Sequence, residues 1–87
     1  MSMTKAEISK LFWEEVCRTP NLQIEFEQFV EIMDECCRSW SDHLEEDGSL
    51  SEYDYSYEYG FDDGSILLFQ YDIDEDGFAE SNCEVLK

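Results

Sequence analysis

Carboxylates recur through the second half of the sequence at spacings that suit contact with a basic surface. In the segment 52–61 acidic and small residues alternate with aromatic ones, so Glu52, Asp54 and Glu58 share one face of a predicted strand. Side chains on one strand face repeat every 6.6–6.8 Å or so, about twice the roughly 3.4 Å axial spacing of phosphates on one DNA strand. Further acids follow at two predicted turns: Asp62 and Asp63, then Asp72, Asp74, Glu75 and Asp76. We expect these nine carboxylates to form a binding surface for a basic partner.

The run from Asp72 to Gly77 also matches the start of a calcium-binding EF-hand loop. Carboxylates occupy loop positions one, three and five, and a glycine occupies position six. Position twelve, which supplies a bidentate glutamate in such loops, is Cys83. We therefore interpret the run as an acidic hairpin turn, and we expect no bound metal and no cofactor.

Catalytic chemistry has few candidates in this sequence. His43 is the single histidine, and a dyad of His43 with Cys36 or Cys37 would need a shaped pocket that a domain of this size hardly provides. The four cysteines, which include Cys17 and Cys83, contain no Cys-x-x-Cys pair, so the spacing of a zinc site is absent. In a reducing compartment they are expected to be free thiols that pack as small hydrophobic residues. We expect a protein that is not an enzyme.

Charge is distributed very unevenly along the 87 residues. The formal net charge is −18, and from Asn21 to Leu86 the only basic residue is Arg38, against twenty acids. Such a chain is often disordered, but a hydrophobic content of 43% with 15% aromatic residues favours a folded domain. Because like-charge repulsion destabilises a compact fold, we expect the acidic field to serve a function. The same repulsion disfavours direct binding to nucleic acid or to anionic membranes.

The pattern of residues predicts a single α+β domain over 1–87 that begins with two helices. A capping box of Thr4 and Glu7 starts the first helix, which we expect over about 4–18. Thr19 then caps a long second helix over about 20–44, with Pro20 in its first turn. The expected apolar stripes are Ile8, Leu11, Phe12 and Val16 on the first helix, and Leu22, Phe26, Phe29, Val30, Met33, Cys37, Trp40 and Leu44 on the second.

Beyond His43 the hydrophobic period changes from 3.6 to 2, which predicts a three-stranded antiparallel meander. Asp-Gly pairs at 47–48, 63–64 and 76–77 signal turns, and strands are expected at about 50–61, 65–73 and 77–86. The middle strand is almost continuously apolar, as in a central strand, and the last is mixed, as at an edge. No apolar stretch is typical of a signal peptide or of a membrane span of ~20 residues, so we expect a cytoplasmic protein.

Residues 57–67, with the sequence Tyr-Glu-Tyr-Gly-Phe-Asp-Asp-Gly-Ser-Ile-Leu, carry a resemblance to a class of known proteins. Together with the size and charge of the chain, this segment resembles small acidic inhibitors encoded by phages and mobile elements, especially anti-CRISPR proteins that mimic DNA. The resemblance implies occupation of the positively charged nucleic-acid channel of a CRISPR effector in the host bacterial cytoplasm. It places Glu52, Asp54, Glu58, Asp62 and Asp63 among the contacting carboxylates.

Three functions are compatible with the sequence. The leading hypothesis is a DNA-mimic inhibitor whose carboxylates pair with the Lys and Arg side chains that normally hold phosphates, since Arg binds both groups in a bidentate way. One alternative is an immunity protein or antitoxin that neutralises a basic nuclease toxin. Another is an acidic adaptor in which exposed aromatic residues, such as Trp13 or Trp40, carry recognition. The sequence leaves the identity of the target and the oligomeric state open.

Overall fold

Two helices lie against one face of a four-stranded antiparallel sheet in the computed structural model, which describes residues 2–43 and 53–87. The helices are α1 (Lys5–Val16) and α2 (Leu22–Cys36), and the sheet order follows the chain as β1-β2-β3-β4. The strands are β1 (Ser39–Asp42), β2 (Tyr55–Gly60), β3 (Ile66–Asp74) and β4 (Gly77–Val85). The predicted α+β class is confirmed, but the prediction of three strands is wrong, because the sheet has a fourth.

The additional strand, β1, lies in the segment that the helical spacing of apolar residues predicts as the end of the second helix. The helix ends at Cys36, and Cys37 is already extended, with φ −75° and ψ 147°. The next residues pair antiparallel with β2, where the ring of Trp40 meets that of Tyr57 edge to face at 5.7 Å between centroids. The helical spacing of apolar residues beyond Met33 was therefore misleading, because cross-strand pairing outweighs the local pattern there.

The start of α2 also differs from the prediction. The N-cap residue is Asn21 and the helix begins at Leu22, so neither Thr19 nor Pro20 serves in the roles expected for them. The amide of Thr19 instead donates to the Val16 carbonyl at 3.0 Å in the turn that follows α1. The apolar stripe of α2 is as predicted as far as Met33, and it buries Phe26, Phe29 and Met33. Leu44 lies outside the described residues.

The predicted capping box at the start of α1 is confirmed, but the buried face of this helix is not the predicted one. The Thr4 hydroxyl accepts a hydrogen bond from the Glu7 amide at 3.2 Å. The buried residues are Ala6, Ser9, Trp13 and Val16, whereas Ile8, Leu11 and Phe12 are exposed. Both sets recur at helical spacing; turning the helix toward Trp13 buries its large ring and lets its indole nitrogen donate to the Ser81 hydroxyl at 3.0 Å.

Aromatic rings build the core between the helices and the sheet. The side chain of Trp13 is only 3% exposed, so the suggestion that it is an exposed recognition residue is wrong. Its ring lies 4.9–6.0 Å, between centroids, from the rings of Phe26, Phe29, Phe69 and Phe78. These edge-to-face and tilted contacts link both helices to the central strand β3.

Two of the three predicted Asp-Gly turns are present, and the third, at 47–48, lies outside the described residues. Gly64 between β2 and β3 has φ +87°, and Gly77 after the β3–β4 turn has φ +116°. A side chain at Gly77 would also collide with Gln23, whose amide oxygen accepts a hydrogen bond from the Phe78 amide. The central position of β3 and the edge position of β4 are as predicted.

Candidate functional site

Strand alternation places a set of carboxylates on the sheet face opposite the helices, here called the outer face. Leu67, Phe69 and Tyr71 of β3 belong to the core. Because side chains alternate along a strand, the residues between and after them, which include Asp72 and Asp74, lie on the outer face. Strand pairing sets the same face on β2 and β4, since residues directly opposite each other project to the same side. The outer-face carboxylates on strands are Glu58, Asp72, Asp74, Glu80 and Glu84.

The densest group of carboxylates lies at the β3–β4 turn, and we call this group the acidic end. It consists of Asp54, Asp72, Asp74, Glu75, Asp76 and Glu80. Backbone amides hold three of its members in place: the Asp54 amide donates to Asp72 Oδ1 at 2.7 Å, and the Asp76 amide donates to Asp74 Oδ1 at 2.8 Å. The Ile73 amide donates to Asp54 Oδ2 at 3.4 Å. Backbone amides of the hairpin and of the segment before β2 therefore hold the carboxylates of Asp54, Asp72 and Asp74.

Five of the six residues of the acidic end were predicted as site residues, and Glu80 was missed. An uninterrupted hairpin with a two-residue turn would have placed Ala79 opposite Asp72. A register shift between Asp72 and Ile73 moves the pairing by one residue and brings Glu80 there. Such a bulge redirects a side chain without leaving a clear sequence signal.

Asp62 and Asp63 lie at the other end of β3 from the acidic end. The two ends of this strand are about 27 Å apart, because an extended strand rises about 3.4 Å per residue. Asp63 Oδ2 accepts a hydrogen bond from the Lys5 amide at 2.8 Å, and its Oδ1 accepts from the Ser65 amide at 3.0 Å and from the Ser65 hydroxyl at 2.5 Å. These bonds, led by that from the Ser65 hydroxyl, lower the pKa of Asp63 to about 2. Asp62 forms an ion pair with the Lys5 ammonium group at 2.5 Å.

Asp63 thus satisfies an unpaired amide in the first turn of α1, where a negative charge also complements the helix dipole. Both carboxylates of this turn are engaged within the domain. As the sequence predicts, the two acidic turns lie at opposite ends of β3, with Asp62 and Asp63 at its start and Asp72, Asp74, Glu75 and Asp76 at its end.

Glu58, in the middle of β2, has its own partner. Its Oε2 lies 2.7 Å from Nδ1 of His43, just beyond β1, and both side chains are mostly buried. This contact is on the outer face, whereas Cys37 packs against the core and Cys36 lines a groove between the helices. The structure therefore does not assemble the Cys-His dyad considered from the sequence. Glu52 lies outside the described residues.

The four cysteines are free, as predicted, although two of them are not buried. Cys17 and Cys36 are exposed, while Cys37 and Cys83 are partly buried. Burial raises the pKa of the Cys83 thiol to about 12. Within residues 2–43 and 53–87, no group of three or more His, Cys, Asp or Glu side chains is arranged to hold a metal ion.

Two hollows on the helix side were not anticipated from the sequence. One is a groove of about 470 Å³ between α1 and α2, lined mainly by apolar side chains that include Ile8, Phe12 and Ile32. The other, of about 350 Å³, lies between α2 and the β1–β2 part of the sheet and is lined by Val30, Asp34, Trp40, Tyr57, Tyr59 and Tyr71. The alternating tyrosines of the sequence indicate part of the second hollow. Trp40 lines this hollow only because its segment forms β1, which the sequence did not predict.

Comparison with known proteins gives no relative: no protein-family model, no curated protein and no solved structure matches the chain. In the part of the chain that the structure describes, neither helix has the length and apolar character needed to cross a membrane.

Proposed function

We propose that this protein is an acidic inhibitor without enzymatic activity, which occupies the nucleic-acid-binding surface of a basic host-defence protein such as a CRISPR effector. The observation that carries the proposal is the acidic end, where six carboxylates gather around one hairpin. Five of them, Asp54, Asp74, Glu75, Asp76 and Glu80, are exposed. Like-charge repulsion among these groups opposes folding, so a surface that retains them is best explained by a basic partner.

The spacing of the acidic end supports mimicry of a nucleic-acid backbone. Asp72 and Asp74 are two residues apart on β3, which places them about 6.6–6.8 Å apart on one face. Glu80 stands opposite Asp72 on the neighbouring strand, about 4.8 Å away between backbones. Guanidinium groups that normally hold phosphates along a strand can therefore meet a regular series of carboxylates here, because Arg forms similar bidentate contacts with both.

We also propose that the protein has no enzymatic activity. This is supported by the contacts of its histidine and by the burial of two of its thiols. His43 is engaged with Glu58 on the outer face, while the thiols of Cys37 and Cys83 pack against the core. Burial raises the pKa of both thiols, which suppresses the thiolate that a nucleophile needs.

A second function, that of an acidic adaptor, is favoured by one observation. Trp40 is 60% exposed at the edge of the sheet, and a large exposed ring is a frequent anchor at protein interfaces. In an adaptor the binding energy would come mainly from Trp40 and not from the acidic end.

The test is capture from a bacterial lysate that contains CRISPR effectors and nucleases, after digestion of its endogenous nucleic acid. The immobilised protein is expected to retain a basic nucleic-acid-binding protein, and double-stranded DNA is expected to elute it at constant ionic strength. Retention of a single nuclease toxin that DNA fails to elute would favour an immunity protein instead. Retention that is lost on Trp40→Ala but insensitive to DNA would favour the adaptor.

A further inference from the structure

The helices cover the sheet unevenly, and this leaves a hollow beside α2. They pack mainly over β3 and β4, so the β1–β2 part of the same face extends past α2. The hollow of about 350 Å³ described above lies at this overhang, and we call it the aromatic pocket. Its volume is within the range of small-molecule binding sites.

Aromatic rings form most of the pocket wall. Trp40 stands edge to face with Tyr57, at an interplanar angle of 89°, and the Tyr57 ring lies 6.4 Å from Tyr59 and 6.3 Å from Tyr71 between centroids. The ring of Tyr55, beside the pocket, stacks on Tyr71 at 5.0 Å. The faces of such rings carry negative electrostatic potential, which attracts a cation placed over them.

Carboxylates make the pocket more negative. Asp34 of α2 is one of its lining residues, and Asp42 of β1 lies on the same sheet face, directly opposite Tyr57. Burial is the main cause of the raised pKa of Tyr57, and the charges of Asp42 and Asp34 raise it further. Burial is also the main cause of the raised pKa of Tyr71, about 12, to which Tyr57, Tyr55 and then Asp34 make smaller contributions. The negative charge of Asp34 therefore acts on the rings inside the pocket.

We propose that the aromatic pocket binds the guanidinium group of an arginine side chain from the partner protein. A planar guanidinium stacks on aromatic faces and also donates two parallel hydrogen bonds to a carboxylate, so Trp40 and Asp34 together suit it better than they suit an ammonium group. The inference rests on the proposed function in taking the partner to be basic. The aromatic pocket would be a second contact surface, on the opposite side of the sheet from the outer face, and it would bind an arginine of the partner.

The first experiment is a titration of the ¹⁵N-labelled protein with the peptide acetyl-Gly-Arg-Gly-amide, followed by NMR. We expect saturable shifts at the Trp40 indole N–H and at the Asp34 amide. The matched peptide with citrulline, which is nearly isosteric but uncharged, is expected to bind at least tenfold more weakly, and the lysine peptide about threefold or more. Equal binding of the lysine peptide would overturn the assignment to a guanidinium.

Two variants and one control locate the binding. Trp40→Ala and Asp34→Asn are each expected to weaken binding of the arginine peptide at least fivefold, and both positions are exposed, so the fold should be retained. Glu35→Gln removes the same charge as Asp34→Asn, from an exposed position that does not line the pocket, and is expected to leave the affinity unchanged. Shifts spread over the whole acidic surface, or equal losses in all three variants, would overturn the proposal.

Because the titration uses a peptide and no partner protein, its failure is distinguishable from failure of the proposed function. Absence of saturable binding at Trp40 would overturn the aromatic pocket as a guanidinium site and leave capture of a basic protein by the acidic end untouched. Conversely, a lysate that yields no basic partner would refute the inhibitor proposal even if the arginine peptide binds.

Discussion

The two tryptophans of the chain occupy opposite environments, and replacing each by alanine tests the described core. Trp13 is 3% exposed and contacts four phenylalanine rings, whereas Trp40 is 60% exposed and meets the ring of Tyr57. We expect Trp13→Ala to be severely destabilising and Trp40→Ala to be mild.

The magnitudes follow from burial and packing. Removing a fully buried large aromatic side chain costs about 3–5 kcal/mol, and here the Ser81 hydroxyl also loses its donor. A domain of this length has a total free energy of unfolding of only about 4–13 kcal/mol, so Trp13→Ala removes a large part of it. Trp40→Ala forfeits one exposed aromatic pair, which is worth about 0.5–1.5 kcal/mol at most.

Urea unfolding followed by far-UV circular dichroism measures both effects. With a slope of roughly 1–2 kcal/mol per molar urea for a small domain, Trp13→Ala should shift the midpoint by at least about 1.5 M, or leave the protein unfolded in water. Because the slope is common to both variants, the shift for Trp40→Ala should be at most about half of that for Trp13→Ala. Similar shifts for the two variants would refute the assignment of Trp13 to the core and of Trp40 to the surface.

Three further predictions concern single groups and the electrostatic field. Because the pKa of Asp63 is lowered to about 2, its stabilising effect is present above pH 4 and lost as the pH falls through 2, so Asp63→Asn should lower the urea midpoint at pH 7 and make little difference near pH 2. Alkylation at pH 8, read by mass spectrometry, should modify exposed Cys36 well before Cys83, whose pKa is raised to about 12; faster labelling of Cys83 would contradict its burial. Association with a basic partner should slow markedly between 0.1 M and 1 M salt, as the Debye length falls from ~10 Å to ~3 Å, and an on-rate indifferent to salt would contradict electrostatic steering.

Local sequence signals predicted most of the elements. The capping box of Thr4 and Glu7 fixed the start of α1, and two Asp-Gly pairs located the hairpins on either side of β3. These features succeed because each depends on a few neighbouring residues. The prediction for the segment 39–42 was wrong for the opposite reason. This strand forms because it pairs with β2, some fifteen or more residues later in the chain, and no local pattern indicates that pairing.

For the candidate site, the sequence predicted most of the residues but not how they are arranged in space. Sequence spacing placed acids at both turns, but it did not show that Asp63 is used to cap α1 through a contact 58 residues distant in the chain. It also did not show the register shift that adds Glu80 to the acidic end. Both depend on tertiary contacts. The aromatic pocket likewise required the position of α2 over the sheet.

The most direct test of the central claim is charge reversal at the acidic end, compared with an equal reversal elsewhere. The triple variant Glu75→Lys, Asp76→Lys and Glu80→Lys changes exposed side chains and leaves in place Asp74, which accepts the turn amide. The control reverses Glu14, Glu31 and Glu35, which are exposed on the helices. Each reversal adds two charges, so both variants move from −18 to −12.

Calorimetric titration of each variant with the captured basic protein gives the decisive dissociation constants. Loss of even one hydrogen-bonded charge pair at an interface costs about 2–5 kcal/mol, so the acidic-end variant should bind at least thirtyfold more weakly, and the helix control within about threefold of the original protein. Equal weakening in both variants would show that only net charge matters. Unchanged binding by a folded acidic-end variant would contradict the account, because the partner would then contact another surface.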